Sequence, residues 1–221
     1  MLICPLATSG PPATHASHTR SAAPARVVII GDSLSTGYGT AREEAWPNLI
    51  MMDFQSGDHP LDIVNAAKNG SGYVRAGEDA ETFGSQVAAA VTAGTQVVMF
   101  FGSENDMGSD KAQLKRAAAD AYAAAKVAAP GAVIIVVGPP CYTDAPEPER
   151  LQVRDQDKAA ALEAGATFVD PIEGRWIVGR ADELIGPDGD HPSGPGQRYL
   201  KAMMGGLLAT LTPQDKVQHT S

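Results

Sequence analysis

The sequence predicts a three-layer α/β/α domain in which a five-stranded parallel sheet lies between two layers of helices. Apolar runs of strand length alternate with alanine-rich segments of helix length over most of the chain. This alternation is typical of parallel sheets whose crossover helices cover both faces. The 221 residues suffice for one domain with a sizeable core, and no repeat or internal linker divides them.

The strands are predicted from short apolar runs rich in β-branched residues. They cover residues 27–30, 61–65, 96–101, 132–137 and 167–169. Helices are predicted at about 43–52, 80–91, 110–128, 149–163 and 195–211. Ser109 or Asp110 can cap the third helix, and Pro130-Gly131 ends it.

The composition excludes several classes of function. The formal net charge is −9 and no cluster of lysines or arginines is present, so the basic footprint of a nucleic-acid-binding protein is absent. No apolar stretch is long enough to span a membrane. Cys4 and Cys141 are the two cysteines, and they provide neither zinc-ligand spacing nor a disulfide framework. We expect no metal or cofactor.

The first 25 residues differ from the rest in being rich in Pro, Ala, Ser, Thr and His, without hydrophobic periodicity. Their apolar start is too short and uncharged for a secretory signal. We expect a flexible leader over 1–25, a single domain over 26–212 and a tail over 213–221. A cytoplasmic or a secreted location, and the oligomeric state, stay open.

Polar residues interrupt the apolar pattern where predicted strands end. Ser33 follows the first strand, residues 65–72 follow the second, residues 102–106 follow the third, and residues 188–192 precede the last helix. Each segment could be turn chemistry alone, since Gly, Asn and Asp favour turns. The carboxyl ends of parallel strands share one edge of the sheet, where α/β domains bind ligands. The shared position favours a functional site.

These segments, in this order, resemble the sequence blocks of the SGNH (GDSL) hydrolase superfamily, from Arg26 to the final helix. The four matching blocks are Gly31-Asp32-Ser33-Leu34, Asn65 with Gly70, Asn105-Asp106, and Asp188-x-x-His191. One departure is Ser103, which stands where the family has a glycine two residues before the asparagine. The resemblance implies a flavodoxin-like fold.

The resemblance also implies the roles of the residues. Ser33 would be the nucleophile, activated by His191 as general base, with Asp188 fixing the imidazole tautomer. Asp190, next to the histidine, is the weaker candidate for that carboxylate. The implied oxyanion hole consists of the backbone N–H groups of Ser33 and Gly70 and the side-chain amide of Asn105. Gly72 competes with Gly70 for its role.

The expected function is hydrolysis of small-molecule or carbohydrate esters through an acyl-enzyme on Ser33, without metal or cofactor. Short connections leave little room for a lid, which favours small acyl groups such as acetyl. Tyr73, Met107 and Tyr142 lie in loops at this edge and are candidates to line the substrate pocket. The alternatives are an acyltransferase that uses an alcohol or sugar acceptor at the same site, and a non-catalytic binding module on the same fold. The Gly-x-Ser-x-Gly elbow, the P-loop and the dinucleotide fingerprint are absent.

Overall fold

The computed structural model describes residues 23–54 and 60–211, and its centre is a five-stranded parallel sheet. The strands are β1 (Ala25–Gly31), β2 (Leu61–Asn65), β3 (Val97–Phe101), β4 (Val133–Val137) and β5 (Thr167–Val169). Their order in the sheet is β2-β1-β3-β4-β5, with every neighbouring pair parallel. This is the flavodoxin-like order. The predicted fold class is confirmed.

Seven helices lie in the described residues, and five of them match the predicted ones within a few residues. They are α1 (Ser33–Thr36), α2 (Trp46–Phe54), α3 (Phe83–Ala90), α4 (Lys111–Ala128), α5 (Pro148–Glu163), α6 (Ala181–Leu184) and α7 (Gly194–Leu211). The unpredicted α1 and α6 have four residues each, too few to produce a hydrophobic period. Of the two predicted caps of α4, Ser109 and Asp110, the structure uses Asp110, whose carboxylate accepts the Gln113 backbone N–H at 2.9 Å. None of the helices described is long and apolar enough to cross a membrane.

Residues 1–22 of the predicted leader, which spans 1–25, and the predicted tail lie outside the described residues. Ala25, the last residue of that leader, already pairs with Leu61 as the first residue of β1.

Two apolar clusters form the core, one on each face of the sheet. Successive strand residues point to opposite faces, so Val28 and Ile30 pack towards α3, α4 and α5 while Val27 and Ile29 pack towards α2 and α7. The side chains of β3 are fully buried as well. The two central strands are therefore fixed on both faces, and the loops at their carboxyl ends start from rigid positions.

A polar cluster lies within the helical layer that contains α4 and α5. The Tyr122 hydroxyl donates to the carboxylate of Asp157, and the hydroxyls of Tyr122 and Tyr73 are 2.5 Å apart. Asp157 is fully buried, and burial raises the pKa of its carboxyl to about 7 although the tyrosine hydrogen bonds lower it in part. Asp157 therefore keeps its proton over a pH range in which an unfolded chain has lost it.

We expect Asp157→Asn to reduce the dependence of stability on pH between about 4 and about 7. Because the pKa is raised in the folded protein, the folded state is favoured at pH below about 4, and this advantage falls as the pH rises to about 7. A shift of about three pKa units corresponds to roughly 4 kcal/mol in the free energy of unfolding. Urea unfolding of the wild type and the variant across this range measures the effect.

The control is Asp120→Asn, which changes an exposed carboxylate of α4. As the pH rises, the free energy of unfolding should decrease by the same amount in the wild type and in this control. The decrease should be smaller in Asp157→Asn. Equal losses in all three proteins would contradict the assignment of the raised pKa to Asp157.

Candidate active site

Ser33 lies where the chain leaves the centre of the sheet. The side chain of Gln86 holds the last residue of β1, because its amide oxygen accepts the Gly31 N–H at 3.0 Å and its amide nitrogen donates to the Gly31 carbonyl at 2.9 Å. The carboxylate of Asp32 then accepts the Leu34 N–H at 2.9 Å and caps α1. Ser33 is the first residue of that helix, so its N–H has no partner inside the helix.

The three predicted triad side chains are brought together. His191 Nε2 lies 2.9 Å from Ser33 Oγ, and His191 Nδ1 lies 2.8 Å from Asp188 Oδ2. When Nδ1 carries the ring proton and donates it to Asp188, Nε2 is free to accept the Ser33 proton. This arrangement can transfer a proton from a serine hydroxyl to an imidazole.

The carboxylate of Asp188 is held in its ionised form. Its Oδ1 accepts the backbone N–H groups of His191 and Asp190, each at 3.1 Å. These two bonds, followed by the bond to the imidazole, lower the pKa of Asp188 to about 2. Asp190 occupies a different position, with its Oδ2 3.9 Å from His191 Nε2. The carboxylate three residues before the histidine is the one that reaches Nδ1.

The segment that carries Asp188 and His191 is a locally closed loop. Ile185 and Pro192 form an antiparallel bridge, and the Gly186 N–H donates to the His191 carbonyl at 2.7 Å. Gly189 turns the chain with a φ of +77°, which favours glycine. The hydroxyl of Tyr142, from the segment after β4, donates to the Asp190 carbonyl at 2.7 Å. The loop is thus fixed by its own backbone and by one side chain from the sheet edge.

Asn105 lies in a 3₁₀ turn (Glu104–Asp106) beyond β3. Its side-chain nitrogen donates to the Ser71 carbonyl at 3.0 Å and to Asp32 Oδ2 at 3.3 Å, which places the amide beside the start of α1. The hydroxyl of Ser103 accepts the Asn105 N–H at 3.1 Å and donates to the Ser71 carbonyl at 2.9 Å. Ser103, at the position where the family has glycine, therefore braces the turn.

The loop after β2 distinguishes the two candidate glycines. The Gly72 N–H donates to the Arg75 carbonyl at 2.8 Å, whereas the Gly70 N–H has no acceptor within residues 23–54 and 60–211. Gly70 has a φ of +69°, and it is half-buried. A Cβ on Gly72 would lie 2.5 Å from the carboxylate of Asp106, so that position tolerates only glycine.

The expectation that Tyr73 lines the substrate pocket is wrong. The Tyr73 ring is 4% exposed and belongs to the core, where it packs on Phe83 and reaches Tyr122. The cause is Asp106, whose carboxylate accepts the N–H groups of residues 73, 74 and 75 and so turns this ring inward. Met107 is 37% exposed beside the Asn105 turn, and Tyr142 is half-buried beside the histidine loop.

Sequence reasoning missed Tyr38, which lies directly against the candidate base. Its ring centroid is 4.4 Å from that of His191, and the side chain is 52% exposed. The residue follows α1 and lies between two glycines, in Gly37-Tyr38-Gly39. Such a segment predicts a turn, but it does not predict which way the tyrosine ring points.

It also missed a buried ion pair beneath the site. Arg150, in α5, pairs with Glu104 and with Glu147, and it donates to the Pro140 carbonyl at 2.9 Å. Burial raises the pKa of Glu104 to about 7, the charge of Arg150 opposes this rise, and Asp190 adds to it. One guanidinium thus joins α5, the Asn105 turn and the segment after β4.

Asp32 is a second buried acid at this position. Burial raises the pKa of its carboxyl to about 7, although the Leu34 N–H lowers it, and the negative charge of Glu104 raises it further. Gly102 approaches this carboxyl so closely that a Cβ there would lie 2.5 Å from Asp32 Oδ2. Gly102 also has a φ of +115°, so both the backbone and the space require glycine.

A sequence model of the GDSL-like lipase/acylhydrolase family matches residues 29–199. The chain belongs to this family. The matched range begins in β1, ends in α7 and includes every candidate residue described above. The protein is therefore an enzyme of the hydrolase class that acts on esters.

Similar proteins include other GDSL and esterase proteins. The GDSL lipase Rv0518 of Mycobacterium tuberculosis is 36% identical over 189 residues, which cover 83% of this chain and 81% of that protein. The crystal structure of TesA superposes with a TM-score of 0.69 at 21% identity, covering 84% of this chain and 98% of TesA. The structure of the esterase EstA from Pseudoalteromonas sp., inhibited by monoethylphosphonate, superposes with a TM-score of 0.66 at 18% identity. This match covers 84% of this chain and 97% of the EstA chain. At these identities the two structures show the shared fold.

In this GDSL family member we expect Arg150→Met to be strongly destabilising. Removing one partner of a buried ion pair leaves an uncompensated charge, which costs about 3–5 kcal/mol in the free energy of unfolding. Because Arg150 lowers the pKa of Glu104, this pKa rises further in the variant, so urea unfolding at a pH well above 7 measures the loss. Adding Glu104→Gln removes the stranded carboxylate, and the double variant should regain a large part of the loss.

The matched control is Arg175→Met, because Arg175 pairs with Asp144 where both side chains are mostly exposed. An exposed pair contributes about 0–1 kcal/mol. If the two arginine variants lost the same stability, or if Glu104→Gln added to the loss of Arg150→Met, the buried pair would not have the role assigned to it.

Proposed function

We propose that this chain is a serine esterase that hydrolyses carboxylic esters with short acyl groups through an acyl-enzyme on Ser33. The observation that carries the proposal is the continuous hydrogen-bonded relay from Ser33 Oγ through His191 to Asp188, with distances of 2.9 and 2.8 Å. A serine hydroxyl becomes a competent nucleophile only when an adjacent base removes its proton. Family membership supports ester hydrolysis, and the relay supports the assignment of these residues.

The proposed reaction has two stages. His191 Nε2 takes the Ser33 proton while Oγ attacks the ester carbonyl carbon, and ionised Asp188 stabilises the resulting imidazolium. The tetrahedral intermediate collapses when His191 delivers that proton to the oxygen of the leaving alcohol. Water then attacks the acyl-enzyme with the same proton transfers in reverse, which releases the acid and restores Ser33.

The proposed oxyanion hole is formed by three donors. Two are the backbone N–H of Ser33, at the start of α1, and that of Gly70. We choose Gly70 over Gly72 because the Gly72 N–H already donates to a carbonyl. The third is the Asn105 amide, whose longer contact, 3.3 Å to Asp32, is the one that the substrate oxyanion would replace. One donor of this kind typically contributes about 3–4 kcal/mol to lowering the barrier.

The side chains around Ser33 support the proposed short acyl group. Among the described residues, the exposed large apolar side chains closest to the site are Tyr38 and Met107. A long alkyl chain gains binding energy only from a continuous apolar surface. On the side of the site towards Tyr142, the side chains are the carboxyl groups of Glu104 and Asp190 and not an apolar surface. The two carboxyl groups interact, since Asp190 raises the pKa of Glu104. An acetyl group needs no such surface.

Ser33→Ala should abolish ester hydrolysis and leave the free energy of unfolding within about 1 kcal/mol of wild type. Ser33 is half-buried at the start of α1, and its hydroxyl has a hydrogen bond to His191 alone among the described residues. Turnover of 4-nitrophenyl acetate and labelling by a fluorophosphonate probe measure the effect.

The matched control is Ser109→Ala, in the loop before α4, which should keep both turnover and labelling. Labelling of Ser33→Ala at the wild-type rate would overturn the assignment of the nucleophile. A wild-type protein that is neither labelled nor active on any ester would instead be a binding module.

Asp188→Asn should lower kcat by about 10⁴-fold, because an amide at this position orients the imidazole in the wrong tautomer. Asp190→Asn should change kcat much less, since that carboxylate lies 3.9 Å from Nε2 and does not reach Nδ1. Steady-state kinetics of the two variants on one ester make a matched comparison. A larger loss for Asp190→Asn would mean that the histidine loop presents the other carboxylate to the base.

A further inference from the structure

A polar cavity of about 370 Å³ lies beside the proposed triad, on the β2 side of Ser33. Its lining includes Thr36, Tyr38, Arg42, Lys68, Asn69 and Glu78. Small-molecule sites typically have volumes of about 300–1,000 Å³. The cavity therefore has room for one ring-sized group and is continuous with the residues that follow Ser33 in α1.

The position of the cavity assigns it to the leaving alcohol. In an acyl transfer, the leaving oxygen takes its proton from the imidazole, so it must come within hydrogen-bond distance of His191 Nε2. The ring of Tyr38 packs on His191 at 4.4 Å between centroids and also lines the cavity. Thr36, three residues after Ser33, lines the same cavity and donates from Oγ1 to Asn69 Oδ1 at 2.6 Å, and its Oγ1 also lies 3.3 Å from the Ser33 carbonyl. The cavity therefore adjoins His191 through the Tyr38 ring and Ser33 through Thr36.

The lining groups fit a hydroxylated ligand. The guanidinium of Arg42 has neither an ion pair nor a hydrogen bond to any residue within 23–54 and 60–211. Lys68 Nζ donates to Asp79 at 2.7 Å and keeps two further protons, and Glu78 accepts from Asn69 at 3.2 Å through one of its two oxygens. An alkyl group here would remove water from these polar groups without replacing its hydrogen bonds.

One wall of the cavity is apolar, and this limits further the kinds of ligand that fit. The side chain of Tyr38 is 52% exposed and lines the cavity, so part of its ring is available to a ligand. The C–H groups of a pyranose ring carry slight positive charge and pack on the negative face of an aromatic ring. A sugar ring has both features, with hydroxyls on its rim and C–H bonds on its face.

We propose that this cavity binds the glycosyl part of an acylated carbohydrate, so that the leaving alcohol is a sugar hydroxyl. The inference rests on the proposed esterase function of Ser33 and specifies its substrate class. Arg42, Lys68 and Glu78 bind the sugar hydroxyls, and Tyr38 packs on the ring and directs the ester oxygen towards His191.

A matched pair of acetate esters tests the proposal with the full-length protein. The esters are 6-O-acetylglucose and cyclohexylmethyl acetate, which share the acyl group and the ring-CH₂-O linkage but differ in the ring hydroxyls. We expect kcat/KM for the sugar ester to be about tenfold higher or more, because a site with polar groups rejects an analogue that lacks their partners. Turnover of 4-nitrophenyl acetate, measured in parallel, reports on Ser33 itself.

Variants then locate the preference. Arg42→Gln and Tyr38→Leu should each lower the ratio of kcat/KM for the sugar ester to that for cyclohexylmethyl acetate by about fivefold. Arg116→Gln, which changes an exposed arginine of α4 far from the site in sequence, is the control and should leave the ratio unchanged. Free glucose should inhibit hydrolysis of 4-nitrophenyl acetate competitively, and less so in Arg42→Gln.

The outcomes separate the two proposals. Hydrolysis of 4-nitrophenyl acetate that depends on Ser33, combined with equal or better turnover of cyclohexylmethyl acetate, overturns the sugar site and leaves the esterase standing. A sugar preference that survives both cavity variants also overturns the assignment of this cavity. Absence of turnover on every ester overturns both proposals.

Discussion

The geometry of the site depends on how the end of β1 is held. Gly31 is the last residue of the strand, and its N–H and carbonyl are both bonded by the buried side chain of Gln86 from α3. The same carbonyl also accepts the Lys68 N–H at 3.1 Å and the Ser71 hydroxyl at 3.0 Å. A single backbone carbonyl therefore fixes Ser33, two residues further on, relative to the loop that contains Gly70. If this carbonyl moved, the proposed nucleophile and one proposed oxyanion donor would shift together.

The remaining parts of the site are fixed in two different ways. Asn105 is placed by long-range contacts, since its amide donates to Ser71 and Asp32 and its turn is tied to α5 through Glu104 and Arg150. His191 is placed by the short loop between α6 and α7, whose bridge and backbone bonds span fewer than ten residues. The side of the site that contains Asn105 is thus part of the core packing, while the histidine loop is a local structure joined to the rest of the site at Ser33 and through the Tyr142 hydroxyl.

The sequence predicted what depends on local patterns. The strand bounds of β2 and β5 follow directly from their apolar runs, and the resemblance of Asp188-x-x-His191 to a family sequence block identified the two side chains that meet. What it did not predict depends on contacts between distant segments. Position in a loop gave no direction for Tyr73, whose ring turns inward because a carboxylate 33 residues away binds the backbone beside it. The pairing of Arg150 with Glu104 joins residues 46 apart and carries no local signal. Tyr38 and the cavity beside it likewise exist only once α1 and the loop after β2 are packed together.

The three buried acids also change the electrical properties of the whole molecule. The formal net charge of −9 treats every carboxyl as ionised, but the pKa values of Asp32, Glu104 and Asp157 are each about 7. Near neutrality each of these carboxyl groups carries on average about half a proton. The net charge of the native protein is therefore less negative than the formal value by about one to two charges. Unfolding at this pH exposes the three groups to water and releases those protons to the buffer. The calorimetric heat of unfolding therefore includes the protonation enthalpy of the buffer, and it differs between phosphate and Tris solutions of the same pH.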